Sequence, residues 1–157
     1  MTDAEDRATV DAMWRAADLT RAYLAEDRAM VEKILAEVDT DALDSILAWL
    51  IISHDELFDG LGEPSLSVRG FEAVAALAPP ESEFAVTTAV RQVASGEIGL
   101  HAAVEDLGRR EDQIHAVAIC STTMLLEAVS RTDALQMLDK DTAEYVRKGH
   151  PRPYTIT

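Results

Sequence analysis

Apolar side chains recur along most of this chain at steps of three and four residues, with polar side chains between them. Such steps place the apolar side chains on one face of an α-helix. Clusters of glycine, proline and serine interrupt the pattern, as in GLGEP at 60–64 and APPES at 78–82. Four apolar stripes lie in residues 3–77 and four more in residues 82–148. The pattern therefore predicts an all-α protein, a helical bundle of about seven or eight helices.

Short polar side chains stand before several of these stripes, where their oxygens can accept hydrogen bonds from the first turn of a helix. The predicted N-caps, in chain order, are Asp27, Asp39 or Thr40, Ser65 or Ser67, and Thr132. Gly149 would end the last helix, because glycine readily adopts the left-handed backbone that follows many helices. We therefore expect a single all-α domain over residues 1–149 and an extended C-terminal tail over residues 150–157.

The two halves of the chain resemble each other in sequence. Residues 44–57, DSILAWLIISHDEL, match residues 112–125, DQIHAVAICSTTML, at six of fourteen positions. Alanine-rich helices also resemble one another by chance, so duplication of residues 3–77 as 82–148 and chance similarity both stay open. Duplicated halves would share one core and be pseudo-symmetric, with their two long central helices facing each other.

Charge narrows the range of functions. The formal net charge is −15, and residues 1–63 hold 16 acidic and 5 basic side chains. An acidic surface disfavours direct binding to nucleic-acid phosphates and to acidic membranes. It favours a protein partner with a basic surface, although a charged surface also serves solubility. The chain opens with charged residues and has no apolar run long enough to span a bilayer, so we expect a cytoplasmic protein.

The most apolar run, residues 43–58, ends in the polar cluster SHDE. One interpretation is that its polar groups are hydrogen-bonded within core helices. The other is a polar pocket between the two long central helices that binds a small ligand. The candidates for that pocket are Ser53, His54, Ser121 and Thr122. A catalytic Ser–His pair is disfavoured, since neighbouring residues on a helix point about 100° apart.

Two histidine–carboxylate pairs at four-residue spacing form a weaker candidate for a metal site. They are His101 with Glu105 and Glu111 with His115, on helices joined by a short turn. Imidazole and carboxylate at this spacing present donors on the same side of a helix. Two arginines in the turn would repel a cation, and ion pairs on a solvated helix hairpin explain the same pattern. We expect no cofactor.

The sequence holds no phosphate-binding loop and no nucleophile elbow, which favours a protein that is not an enzyme. The first hypothesis is a non-enzymatic, acidic interaction or regulatory module that binds a basic protein partner and can form a homo-oligomer. Its candidate partner surface comprises Trp49, Asp39, Asp41, Asp55, Glu56 and Asp59. The second hypothesis is a helical bundle that binds a small ligand or a metal, with or without catalysis.

Overall fold

The chain folds into helices joined by short links. The computed structural model describes residues 3–64 and 66–156. Its helices are α1 (Asp3–Leu24), α2 (Arg28–Lys33), α3 (Thr40–Gly60), α4 (Val68–Ala75), α5 (Pro80–Ala94), α6 (Leu100–Glu105), α7 (Arg110–Ala128) and α8 (Arg131–Arg147). Over the described ranges, no helix has both the length and the apolar character that crossing a membrane requires. The predicted all-α bundle of seven or eight helices is confirmed.

Three of the predicted N-caps are confirmed. The side chains of Asp27, Asp39 and Ser67 each accept a hydrogen bond from the backbone amide three residues further on, at 3.1, 2.8 and 3.0 Å. Ser65, the alternative cap of α4, lies outside the described residues. These bonds satisfy amide groups that have no partner within the first turn of a helix.

The predicted start of α8 is wrong by two residues. Ser130, and not Thr132, caps this helix, because the Ser130 hydroxyl accepts a 3.1 Å hydrogen bond from the amide of Asp133. The earlier start places Arg131 in the first turn. Its guanidinium contacts the carbonyl oxygen of Leu24 and lies 2.9 Å from the Glu26 carboxylate. The beginning of α8 is thereby tied to the end of α1.

Helix α7 forms the centre of the bundle. All its residues from 112 to 125 are buried, and α3, α1, α4 and α5 pack around it. Its largest interface is with α3, so the two apolar segments meet as predicted. The pseudo-symmetry stays a prediction. The two central helices differ in environment, since α3 keeps one face in solvent whereas α7 is buried on all sides from 112 to 125. The helices that follow them also differ in length, since α4 has 8 residues and α8 has 17.

The segment after α8 is neither helix nor strand and packs on α1. Arg152 forms a two-pronged ion pair with the buried carboxylate of Asp18, at 3.0 and 2.8 Å. The Tyr154 hydroxyl donates a 2.6 Å hydrogen bond to the same carboxylate. The indole nitrogen of Trp14 donates to the His150 carbonyl oxygen at 2.8 Å. The tail is therefore an integral part of the packed structure.

Several links between helices use left-handed backbone. Gly149, with φ of 89°, turns the chain out of α8 as predicted. Glu37, between α2 and α3, has φ of 60° although it carries a side chain. A side chain in this region costs free energy because its Cβ crowds the following carbonyl oxygen.

Candidate functional site

A groove of about 390 Å³ lies between α3 and α8, and α1 and α7 form its floor. Both wall helices pack on the floor helices, and their backbones stay apart, although the side chains of Trp49 and Tyr145 interact with each other between the two walls. The small side chains of Ala16 and Ala17 let the floor lie deep, and Leu50 and Leu125 make it apolar. The volume falls within the usual range of ligand pockets, about 300–1,000 Å³.

Large apolar and aromatic side chains form the walls of the groove. Trp49 lines it from α3, and Met137 and Tyr145 line it from α8. Tyr145 is held from behind by an edge-to-face contact with Trp14, with ring centroids 5.7 Å apart. Met137 is 45% exposed, and Ile52, three residues after Trp49, is 54% exposed. Exposed apolar side chains of this size around a groove are typical of binding surfaces.

Two carboxylates in the groove form no ion pair with a described residue. Glu56 projects from α3 and Asp141 from α8, and neither has an ion-pair partner within residues 3–64 and 66–156. Partial burial raises the pKa of Asp141, and the nearby charge of Lys140 opposes that effect only in part. The burial penalty falls on the charged form of the carboxylate, so a cation brought into the groove would stabilise that form.

The floor of the groove also contains a hydroxyl that lacks a hydrogen bond. Ser121 is only 6% exposed, and its Oγ has no partner in the part of the chain that the structure describes. Buried hydroxyls are nearly always hydrogen-bonded, because an unpaired one loses its interactions with water. A polar group of a bound molecule could supply the missing bond.

This groove unites residues that the sequence assigns to two different sites. Ser53 and Ser121 belong to the predicted ligand pocket, whereas Trp49 and Glu56 belong to the predicted partner surface. The sequence does not predict the wall that α8 contributes to the groove. Its residues 137, 141 and 145 recur every four positions, but an apolar stripe interrupted by aspartate is also typical of an exposed helix.

The other two pocket candidates lie elsewhere. His54 faces a different cleft on the other side of α3. Thr122 is fully buried, and its Oγ1 has no hydrogen-bond partner among the described residues. The structure therefore does not form one pocket from all four residues. The reason is helical geometry, because residues adjacent in a helix point in directions about 100° apart.

The second cleft, the His54 cleft, has a volume of about 590 Å³ and opens between α3 and the link from α5 to α6. Its inner end is formed by the buried side chains of Phe71, Cys120 and Met124. Glu63 and His101 stand exposed at its opening. Burial raises the pKa of the Cys120 thiol, which disfavours a nucleophilic role in this cleft.

Two histidines share one carboxylate at the His54 cleft. The Nδ1 of His54 lies 3.0 Å from Asp55 Oδ1, and the Nε2 of His101 lies 3.1 Å from Asp55 Oδ2. Burial lowers the pKa of His54, and its bond to Asp55 opposes that effect. Partial burial acts to raise the pKa of Asp55, but the bonds from both histidines lower it overall. Asp55 is therefore half-buried, and its carboxylate is already hydrogen-bonded to two histidines. It is not a free carboxylate that a partner could contact.

The remaining acids of the predicted partner surface do not form one patch. Asp39 is occupied as the N-cap of α3. Asp41 and Asp59 are exposed near opposite ends of this helix, roughly 27 Å apart along its axis. Of the acids predicted for the partner surface, Glu56 is the one that lines the groove together with Trp49.

The predicted metal ligands are also separated in space. His115 lies inside the core, with its Nδ1 2.7 Å from the Tyr23 hydroxyl. His101 stands at the opening of the His54 cleft, while Glu105 and Glu111 lie at the surface. Across residues 3–64 and 66–156, no three histidine, cysteine or acidic side chains are grouped so that they could hold a metal ion. The four predicted ligands therefore do not come together in the part of the chain that the structure describes.

His115 and Tyr23 instead form a buried polar pair in the core. Burial lowers the pKa of His115 to about 4, and the charge of Arg109 contributes in the same direction. Burial raises the pKa of the Tyr23 hydroxyl. Both groups are therefore neutral at pH 7 and hydrogen-bonded to each other, which is a structural role.

Comparisons of the chain with models of protein families, with curated proteins and with solved structures gave no match.

Proposed function

We propose that this protein is a non-enzymatic interaction module whose α3–α8 groove binds a basic, amphipathic helix of a partner protein. One observation supports the proposal: the groove combines an apolar floor and aromatic walls with two carboxylates that have no ion-pair partner among the described residues. No lysine or arginine lines it. A bound helix would bring apolar side chains to the floor and basic side chains to Glu56 and Asp141.

The length of the groove suits two turns of helix. Its wall residues extend from 49 to 57 on α3 and from 137 to 145 on α8, which corresponds to about 12 Å along each helix. An amphipathic helix places side chains at positions i, i+3 or i+4, and i+7 on one face, and such a face commonly fills a groove between helices. Trp49 and Tyr145 are of the residue types that contribute most to binding energy in interfaces.

The charge of the partner follows from the charge of the groove. The whole chain has a formal net charge of −15, which would attract a basic surface at long range and repel an acidic one. Contact with a cation would relieve the burial penalty on Asp141. A second copy of this chain fits less well, because it presents the same excess of negative charge.

A pair of synthetic helices tests this proposal. The probe is a leucine–lysine amphipathic peptide of about 18 residues, roughly five turns, and its counterpart replaces every lysine with glutamate. We expect the lysine peptide to bind, as followed by calorimetry, and its affinity to fall as salt is raised from low to physiological concentration. The glutamate peptide should not bind. Equal binding of both peptides, or of neither, contradicts the proposal.

Two variants locate the binding. Trp49→Ala should weaken binding of the lysine peptide about thirtyfold, as for a central aromatic residue of an interface. Glu56→Gln with Asp141→Asn should weaken it about tenfold, through two lost charge pairs. The control is Glu97→Gln with Glu105→Gln, which changes net charge by the same amount outside the groove. If the control weakens binding equally, the attraction comes from net charge and not from this groove.

A further inference from the structure

We propose that the His54 cleft is a separate site for a small, aromatic or otherwise apolar molecule that carries one hydrogen-bond donor, such as a phenol. This site does not depend on the partner groove, because it lies on the other side of α3 and shares no lining residue with it. Its volume of about 590 Å³ is that of a pocket for a small organic ligand.

The orientation of the His54 ring indicates what the ligand must supply. The ring is only 7% exposed, and its Nδ1 faces the carboxylate of Asp55 at 3.0 Å. An ionised carboxylate only accepts hydrogen bonds, so Nδ1 of the neutral ring donates and Nε2 becomes an acceptor. No residue in the described ranges forms a hydrogen bond with Nε2. An acceptor without a partner among the described residues, at an apolar cleft, is suited to a ligand with one donor.

The imidazole is held in place before any ligand arrives. Its ring stacks on Phe58, with centroids 6.0 Å apart and planes 13° from parallel. Asp55 is fixed in turn by His101, whose Nε2 lies 3.2 and 3.1 Å from its two oxygens. A side chain with so little freedom loses little entropy when it binds, and such preorganisation increases affinity.

The rest of the cleft favours a ring and disfavours an anion. Phe58 and Phe71 offer aromatic surface, and the thioether of Met124 can contact the edge of a ring. Asp55 and Glu63 lie at the same cleft, so a carboxylate or phosphate would be repelled. A neutral hydroxyl on a ring satisfies Nε2 without adding charge.

Matched ligands test the site in the full-length protein. The probe is 4-propylphenol, and 4-propylanisole has nearly the same shape but no hydroxyl hydrogen to donate. We expect the phenol to bind about tenfold more tightly than the anisole in titrations followed by NMR. Binding should also shift the imidazole Nε2 resonance of His54. Equal affinity of the two compounds, or no binding up to their solubility, would overturn the proposal.

Variants distinguish binding through a specific hydrogen bond from nonspecific apolar binding in the cleft. His54→Phe keeps a flat ring against Phe58 and should abolish the tenfold preference for the phenol, whereas His150→Phe, in the exposed tail, should preserve it. Ala94→Leu narrows the cleft without touching His54 and should weaken binding of both compounds. Circular dichroism checks that each variant is folded. If His54→Phe does not fold, the binding measured with Ala94→Leu tests the site instead. A preference that survives His54→Phe, or unchanged binding in Ala94→Leu, refutes the site.

Discussion

A neutral histidine buried in the core makes the stability of this protein depend on pH. His115 has a pKa of about 4 in the folded chain, against 6.5 for an unperturbed histidine. Between these values the unfolded chain binds a proton that the folded chain does not. The contribution of His115 is therefore constant above pH 6.5 and becomes unfavourable as pH falls towards 4.

His115→Gln should reduce this pH dependence. Glutamine can hydrogen-bond to Tyr23 but does not titrate. We expect the loss of unfolding free energy between pH 6.5 and 4 to be smaller in the variant by about 3 kcal/mol, the value for a shift of this size. Urea unfolding at several pH values measures it, and His150→Gln is the exposed control. Identical pH profiles of the variant and the parent protein would contradict a neutral, buried His115.

Glu37 offers a second prediction about a single residue. Its left-handed backbone strains a residue with a Cβ, so Glu37→Gly should raise the free energy of unfolding by roughly 0.5–1 kcal/mol. Glu32→Gly, within the helical backbone of α2, should lower it by about 1 kcal/mol. Thermal or urea unfolding of both variants provides the measurement. A loss of stability in Glu37→Gly would show that the strain at this link is compensated elsewhere.

At the scale of elements, the tail and α1 act as one unit through Asp18. Removal of the Arg152 guanidinium leaves the buried Asp18 carboxylate with the Tyr154 hydroxyl as its one remaining donor among the described residues. Arg152→Ala should therefore lower the free energy of unfolding by about 2 kcal/mol, less than for a fully buried ion pair, because the Arg152 side chain is 43% exposed. Arg147→Ala breaks an exposed pair with Glu144 and should cost less than about 1 kcal/mol. The two costs should differ clearly in urea unfolding.

A double variant separates the ion pair from the packing of the tail. Asp18→Asn with Arg152→Ala removes both charges, so no uncompensated carboxylate remains. Its loss of stability should be smaller than the sum of the two single losses, because the residues interact directly. Additive losses would mean that the two side chains stabilise the protein independently, which the bond lengths of 3.0 and 2.8 Å argue against.

Element boundaries are largely predictable from local sequence, and the sites are not. The caps at Asp27, Asp39 and Ser67 depend on bonds within one turn, so residue type and spacing limit each cap to one or two candidates. The groove depends on how far α8 lies from α3, which periodicity does not encode. The burial of His115 depends on Tyr23, 92 residues earlier in the chain. Long-range partners of this kind leave no mark in a single sequence.

At the scale of the whole molecule, the negative charge acts against compactness. A net charge of −15 on 157 residues causes self-repulsion, which dissolved salt screens. We expect Tm to rise by a few degrees between low and high NaCl in differential scanning calorimetry. The variant with Glu97→Gln and Glu105→Gln should show a smaller rise. A fall of Tm with salt would mean that the attractive pairs dominate the repulsion.

The contact between Asp18 and Arg152 also bears on how the protein matures. The two residues are 134 positions apart, and a ribosome makes α1 long before it makes the tail. During that interval the Asp18 carboxylate has neither of its tail donors and must stay hydrated. Asp18 therefore gains these contacts only after translation has passed residue 154, so α1, which precedes the other described helices in the chain, is completed late.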